Sequence, residues 1–375
     1  MSETTPNQSQ VITIIYNTAL SVYNLRVNLI KEIQQLGYRV IVISPYDKYV
    51  EKLKALNIEH HDLDISQYGL NPIKEIVTTY KIYQLFKKYR PKYSLHYTIK
   101  PNIYGGIAAY FSKTQVINNI AGAGKAFTKE NSMFARLISL LFRIGLRQSK
   151  NVLFQNHDDM NFFIRDNIVP KEKTHRIPGS GVDLTKYKST NSPINSQFIF
   201  VGRLLREKGI EYYLEAAEKT ISDYPNAIFK IVGPHEDRKE YIDPVLLEKY
   251  LENPNIIYLG TASPDDMPLI LEQCECVVLP SHYREGVPRS LLEAASMSKP
   301  VITTESVGCR EVVQQNVNGF KCPIKDSVRL HESMKKFLNL STEEKKLMGQ
   351  NGRAKMEREF DENIVLDTYK YLLAG

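Results

Sequence analysis

Two carboxylates with seven residues between them stand in the segment REGVPRSLLEAASMSKP (284–300): Glu285 and Glu293. Gly286, Val287 and Pro288 follow the first, and SLLEAASM then has helical spacing. Upstream, ECVVLPS (275–281) reads as a buried strand. A strand, a glycine turn and a helix start make an anion site, because the first N–H groups of a helix lack partners and its dipole favours negative charge. Gly286 permits a tight turn and a close backbone approach. Pro288 suits the start of the helix, where its missing N–H costs nothing. Glu285 precedes the turn, and Glu293 lies about one turn inside the helix. The two acids are therefore not a side-by-side pair. They could reach two parts of one extended ligand whose phosphates lie between them. The spacing alone fits equally a Glu293 that faces the helix dipole and a solvated Glu285.

A second charged loop favours the ligand. FIFVGRLLREKGIEYYLEAA (198–217) is a strand, a loop with Arg203, Arg206 and Lys208, then Gly209 and a helix. Cations at the carboxyl edge of a domain's first strand can face the same crevice as a loop from a later strand. Arg203 offers a planar fork and Lys208 a point charge, which together suit a diphosphate. The plainer alternative is a solvated loop.

Such groups need a scaffold, and the chain alternates strand and helix around them. VITIIY (11–16), YRVIVIS (38–44), IEHHDLD, YSLHYT (93–98), TQVINNI (114–120) and NVLFQN read as strands. Helical stretches separate them, among them NPIKEIVTTYKIYQLFKKYRP, which Pro91 ends. The rhythm pauses at GSGVDLTKYKSTNSPINSQ (179–197), whose Ser, Thr, Asn, Gly and Pro read as a linker. It restarts with FIFVG (198–202), AIFKIVG (227–233), NIIYLG (255–260), ECVVLPS and PVITT (300–304), and the last third is helical and charged. The pattern predicts an α/β chain of two doubly wound parallel-sheet domains. Residues 1–10 form a disordered tail, 11–185 the first domain and 196–360 the second, with a helix at 361–375 packing back on the first. Two such sheets facing each other would bring both ligand edges to one cleft.

Composition bounds the rest. At 375 residues the chain suits two domains. A net charge of +7 and a pI near 8.9 fit phosphorylated ligands, an anionic membrane surface or simple solubility. There is no zinc-finger spacing and no arginine-rich arm, which argues against nucleic acid. Cys274, Cys276, Cys309 and Cys322 form no CxxC pair and read as core thiols of a reducing compartment. The N-terminus has no apolar signal region, and no run reaches the roughly 18 apolar residues of a spanning helix. The expected location is cytoplasmic, with any membrane contact peripheral.

Taken together, VGRLLREKG and EGVPRSLLE resemble the Gly-Arg…Lys-Gly loop and the E-x7-E motif of the retaining glycosyltransferases of family 4. PGSGVDLTKY and KPVITTESVGCREVVQQNVNGF resemble that family's entry to the second domain and the closing of its nucleotide pocket. The resemblance covers most of the chain. It implies the GT-B fold, two Rossmann-like domains facing a central cleft, and a nucleoside-diphosphate sugar as donor. On that reading Arg203 and Lys208 hold the donor diphosphate with backbone N–H groups of Gly286, Val287 and Pro288. Glu285 contacts the donor sugar and Glu293 the ribose, with Gly233, Thr261 and Ser290 also on the donor side. Glu285, Arg203 and Lys208 are the implied catalytic residues. LHYTIKPNIYGGIAAY and INNIAGAGKAFT resemble the bacterial branch that extends lipid-linked oligosaccharides for capsule and O-antigen. This implies a polyprenyl-diphosphate-linked sugar as acceptor, with Lys100, Asn102, Tyr104, Gly122, Gly124 and Lys125 on the acceptor side. The expected chemistry is metal-independent transfer of a hexosyl group, of N-acetylhexosaminyl type and from UDP, with retention.

Other signals carry less. DLD (62–64) matches a bare metal motif without a second element. His60, His61 and His96 sit near strand ends, where histidines are usually structural. FARLISLLFRIGLRQSK (134–150) mixes an apolar stripe with Arg136, Arg143, Arg147 and Lys150 and reads as a helix whose charges could meet an anionic membrane. Three rivals remain: an epimerase or hydrolase of the same fold acting without acceptor, a nucleotide-sugar-binding protein without catalysis, and a dehydrogenase. The last would need G-x-G-x-x-G after a strand, and none is present.

Overall fold

The structure, a computed structural model, describes residues 10–66, 71–122, 124, 133–189 and 196–374. The chain divides into two units: one takes the residues up to Ile177 and those from Val365 on, the other runs from Pro178 to Ile364. Residues 1–9 of the expected tail, and Lys125, lie outside the described residues.

In the first unit the strands are β1 (Val11–Ile15), β2 (Arg39–Ser44), β3 (Glu59–Asp62), β4 (Tyr93–Tyr97), β5 (Gln115–Ile120), β6 (Ser149–Phe154) and β7 (Thr174–Arg176). They form one parallel sheet in the order β3-β2-β1-β4-β5-β6-β7. The helices between them are α1 (Ala19–Gln35), α2 (Tyr49–Ala55), α3 (Pro72–Tyr89), α4 (Gly106–Ser112), α5 (Met133–Gly145) and α6 (His157–Arg165). Strands such as VITII and RVIVIS carry apolar residues on both faces because helices cover both. The order reverses between β1 and β4, which places the sheet's ligand edge at the end of β4. A single turn of wide π helix, Pro101–Gly105, leads into α4 there.

The second unit holds β8 (Gln197–Val201), β9 (Ile228–Val232), β10 (Ile256–Tyr258), β11 (Cys276–Leu279), β12 (Val301–Thr304) and β13 (Gly319–Cys322). Its parallel order is β10-β9-β8-β11-β12-β13, so the reversal lies between β8 and β11. Its helices are α7 (Ile210–Asp223), α8 (Pro244–Leu251), α9 (Met267–Glu272), α10 (Arg289–Ser296), α11 (Cys309–Val312), α12 (Ser327–Leu338) and α13 (Thr342–Glu359). The four cysteines are free and buried.

The last helix, α14 (Glu362–Ala374), carries Val365, Leu366, Tyr369, Leu372 and Leu373 into the core of the first unit. Tyr97 Oη donates to Tyr369 Oη at 2.9 Å, and Lys370 pairs with Glu32 of α1 at 2.7 Å. Arg26 is almost fully buried, its guanidinium 4.3 Å from the centre of the Tyr97 ring.

Two expectations from the sequence need correction. The stretch from Gly179 is not a free linker over its described part. Ser180, Val182 and Tyr187 are buried, Val182 bridges to Asp361, and the division between units falls at Ile177–Pro178 rather than beyond 185. Turn-forming residues gave the stretch a loop composition, but its apolar residues are committed to the second unit. The helix expected over 134–150 ends at Gly145, and Lys150 lies in β6. Gly145, its last residue, packs tightly on the turn before α4: a Cβ there would lie 2.7 Å from the Ile103 carbonyl oxygen.

Candidate functional site

The loops after β8 and β11 flank the reversal point of the second sheet, and the chain stitches them together. The backbone N–H groups of His282 and Tyr283 both donate to the Glu207 carbonyl, at 2.9 and 3.1 Å. Arg206–Lys208 forms one tight helical turn closed by Gly209, whose φ of +81° favours glycine. A Cβ on Gly209 would lie 2.1 Å from the Pro280 carbonyl oxygen, so only glycine lets the two loops meet.

That contact brings Lys208 to Glu285. Lys208 Nζ donates to Glu285 Oε2 at 2.6 Å, and Ser281 Oγ lies 3.0 Å from Oε1. The pair's side chains are only 16% and 13% exposed, so each charge needs the other or a ligand. A third loop props the arrangement from behind. Gly308, after β12, has φ +83°, and a Cβ there would lie 2.1 Å from the Gly286 carbonyl oxygen. Thr304 Oγ1 donates to the Ser281 carbonyl.

The remaining residues expected on the donor side follow the strand order along the same edge. Arg203 is exposed just past β8. Gly233 follows β9, accepts from Tyr258 Oη at 2.8 Å, and abuts the Gly202 carbonyl so closely that a Cβ would lie 1.9 Å from it. Thr261 is exposed beyond β10. Gly286, Val287 and Pro288 are buried and lead into α10, where Pro288 is the capping residue and Ser290 sits in the first turn. The opening N–H groups of that helix have no carbonyl of their own helix to bind.

Glu293 is set differently. Its side chain is 6% exposed, and Arg289 Nε donates to its Oε1 at 2.9 Å. Arg289 also donates from Nη1 to the Gly181 carbonyl at 3.1 Å and to Ser180 Oγ at 3.3 Å. Burial, then the neighbouring Glu293, pushes the Tyr187 phenol well up from its ordinary pKa. Glu293 thus belongs to a buried polar network. Sequence reasoning missed Arg289, although an arginine four residues before a glutamate on one helix was a readable signal. It also missed Ser281 and His282. The His282 imidazole is half-buried, its Nδ1 has no partner among the described residues, and burial lowers its pKa.

In the first unit the end of β4 is strained. Thr98, a β-branched residue, has φ +65°, and its buried Oγ1 has no partner among the described residues. Two residues on, Lys100 Nζ pairs with Glu75 Oε1 at 2.6 Å, both mostly buried. Asn102 is buried, and its amide donates to the Asn119 carbonyl and accepts from Asn118 Nδ2, both at 2.9 Å. Tyr104 is 9% exposed, and Gly122 and Gly124, at the end of β5, have positive φ. Asp62 of DLD accepts from the Tyr46 backbone at 3.0 Å, and no group of three or more metal-ligating side chains occurs among the described residues. His96 is fully buried in β4 against Ser94 Oγ.

Comparison with known proteins bears on this geometry. Residues 13–156 match the model of the glycosyl transferase 4-like domain, and 186–355 that of the glycosyl transferases group 1. A UDP-Gal:α-D-GlcNAc-diphosphoundecaprenol α-1,3-galactosyltransferase of Escherichia coli is 30% identical over 69% of this chain and 69% of its own length. The chain belongs to the group 1, family 4-like glycosyltransferases. The glycosyltransferase is also 24% identical, over 96% of both chains, to N,N′-diacetylbacillosaminyl-diphospho-undecaprenol α-1,3-N-acetylgalactosaminyltransferase of Campylobacter jejuni. Its fold is that of HepE of Anabaena in complex with UDP and glucose, with a TM-score of 0.79 at 18% identity over 97% of this chain and 99% of that one. Two Rossmann-like parallel sheets place the glycosyltransferase in the GT-B class.

Proposed function

We propose that this glycosyltransferase moves a hexosyl group, of N-acetylhexosaminyl type, from a UDP-sugar to a hydroxyl of a polyprenyl-diphosphate-linked saccharide, with retention and without a metal. The observation that carries the reading is the Lys208–Glu285 pair at the reversal point of the second sheet, beside the start of α10. A diphosphate fits there because Lys208, Arg203 and the helix N-terminus supply positive charge where the leaving group gathers negative charge. Glu285 then faces the sugar. In the step proposed, the acceptor oxygen bonds to the anomeric carbon as the bond to the diphosphate breaks. The acceptor proton passes to the departing diphosphate, so no protein nucleophile is needed. The names of both relatives include a diphospho-undecaprenol-linked sugar, and one includes UDP-Gal; these support the acceptor and donor classes.

The site of action proposed is the inner face of the cell membrane, with peripheral attachment. Among the described residues no helix is long and apolar enough to cross a membrane. A donor panel assayed with and without a bacterial lipid extract tests the whole reading. UDP release from one UDP-sugar only when lipid is present supports it. Equal turnover without lipid would instead make the protein an epimerase or hydrolase of the nucleotide-sugar.

A further inference from the structure

Glu285 is held by more than Lys208. Ser281, just past β11, is fully buried. Its Oγ lies 3.0 Å from Glu285 Oε1 and 3.3 Å from the Glu207 carbonyl oxygen, and the Tyr283 N–H donates to it at 3.2 Å. A hydroxyl has one proton to give and lone pairs to receive. The Tyr283 N–H takes one of those lone pairs. The Glu207 carbonyl already accepts from the N–H groups of His282 and Tyr283, and a carbonyl oxygen has two lone pairs. The carboxylate is nearer and charged, so the Ser281 proton goes to Glu285.

The contacts close a ring. Lys208 Nζ donates to Oε2 of the carboxylate at 2.6 Å and Ser281 to Oε1, while His282 and Tyr283 bond back to Glu207, the residue before Lys208. Thr304 Oγ1 ties the Ser281 carbonyl to β12. The last torsion of a glutamate is broad, so a single hydrogen bond leaves its carboxylate free to turn. A bond to each oxygen, from two different loops, fixes its plane. Of the two donors, Lys208 is also the one proposed to hold the diphosphate. A Lys208 drawn towards the donor loosens its grip on Glu285, whereas Ser281, buried out of a ligand's reach, keeps its own. We infer that Ser281 is a positioning residue for the transfer: its hydroxyl pins one oxygen of Glu285, so that the carboxylate meets the donor sugar in a single orientation. The inference rests on the role of Glu285 proposed above, because Ser281 acts only through that carboxylate.

A cycle of variants tests it. Ser281→Ala should lower kcat for transfer ~10-fold or more, the scale of a misplaced group at the reacting centre. It should leave the affinity for UDP, which has no sugar, unchanged. Placed in Glu285→Gln, the same substitution should cost less than ~2-fold, because the group it positions is already gone. Losses that multiply would make Ser281 a prop for the loop and overturn the inference. So would parental transfer in Ser281→Ala, or an equal loss of UDP affinity. Ser281→Cys keeps the shape of the side chain and offers only a weak donor. It should follow Ser281→Ala through the same cycle, and it replaces that variant if Ser281→Ala fails to fold. Parental transfer in Ser281→Cys also overturns the inference.

Failure of the function reads differently. If the parent transfers sugar to no lipid-linked saccharide, that function falls, and the cycle is read on the ratio of UDP-sugar to UDP affinity. Glu285→Gln and Ser281→Ala should each lower this ratio, and the double variant no further than Glu285→Gln alone. Losses that multiply there overturn the inference. Transfer that depends on lipid and on Glu285, with losses that multiply in the cycle, would sink the role of Ser281 and leave the function standing.

Discussion

Lys208 and Glu285 share a mostly buried contact, so neither can be altered without exposing the other's charge to a poor environment. Glu285→Gln should therefore do two things. Transfer should fall ~100-fold or more, the scale of losing a charged contact at the reacting centre. Stability should fall by about 1–3 kcal/mol, because Lys208 loses its carboxylate. Transfer near the parent rate would remove Glu285 from the chemistry. Glu293→Gln should raise the donor KM about tenfold with little change in kcat, the pattern of lost uniform binding. A lower melting temperature with an unchanged donor KM would make Glu293 a strut for Arg289 and nothing more. His96 gives a pH prediction of a different kind. Burial pushes its pKa from the ordinary 6.5 down to about 3. Below about 6.5 the unfolded chain takes up this proton and the native chain does not, so the unfolded state binds more protons. The stabilisation by neutral His96 is complete above that value and is lost as pH falls towards 3, at up to about 1.4 kcal/mol per pH unit. Urea melts at pH 7.5 and 5 should show a smaller pH dependence in His96→Phe than in the parent. An equal dependence in both would mean that His96 titrates in the native protein.

Glycines set the loops at the scale of elements. Gly308→Ala must push a methyl group against the Gly286 carbonyl, displacing the backbone that carries Glu285. Activity should drop at least tenfold while far-ultraviolet circular dichroism stays native. Gly37→Ala is the control: its φ is also positive, at +85°, but nothing lies within 4 Å, so it should cost about 1–2 kcal/mol and no activity. Activity retained in Gly308→Ala would mean that the Glu285 loop tolerates displacement. The strands were readable because runs such as VITII and CVVL are apolar on both faces, which buried parallel strands require. The strand–Gly–helix pattern around Gly286 was readable for the same reason that it works: the turn chemistry is local. What was not readable depends on contacts distant in sequence. Gly145 must be glycine because Ile103 approaches it. Asn102 is buried, with its amide bonded to Asn118 and the Asn119 carbonyl, a packing that no local pattern signals. Tyr187, in a loop-like stretch, is drawn into the second core.

For the molecule as a whole, the structure changes how the charges of 134–150 should be weighed. The sequence suggested a basic helix whose charges could meet an anionic membrane. Arg143 instead donates to the Asp166 and Asn167 carbonyls, each at 3.0 Å. Arg147 lies over the Tyr110 ring, and Lys150 donates to Tyr93 Oη. The solvent side of α5 presents Phe134, Leu137, Leu140 and Ile144, each about half exposed. An apolar helix face with few free cations should bind lipid mainly by burying hydrocarbon, at about 25 cal/mol per Å². Salt leaves that term intact, whereas it screens surface charge within a Debye length of about 3 Å at 1 M. Sedimentation with vesicles should therefore persist at high salt and depend little on the anionic lipid fraction. Phe134→Glu combined with Leu140→Glu should abolish it, while leaving donor affinity unchanged because the residues proposed to hold the donor lie in the other unit. The same preparation should transfer sugar in excess EDTA, since Arg203 and Lys208 stand where a metal would otherwise offset the diphosphate. EDTA inactivation reversed by Mn²⁺ would restore a metal to the mechanism. If salt alone releases the protein and the two glutamates do not, lysines and arginines elsewhere on the surface hold it to the membrane, and the open face of α5 has another use.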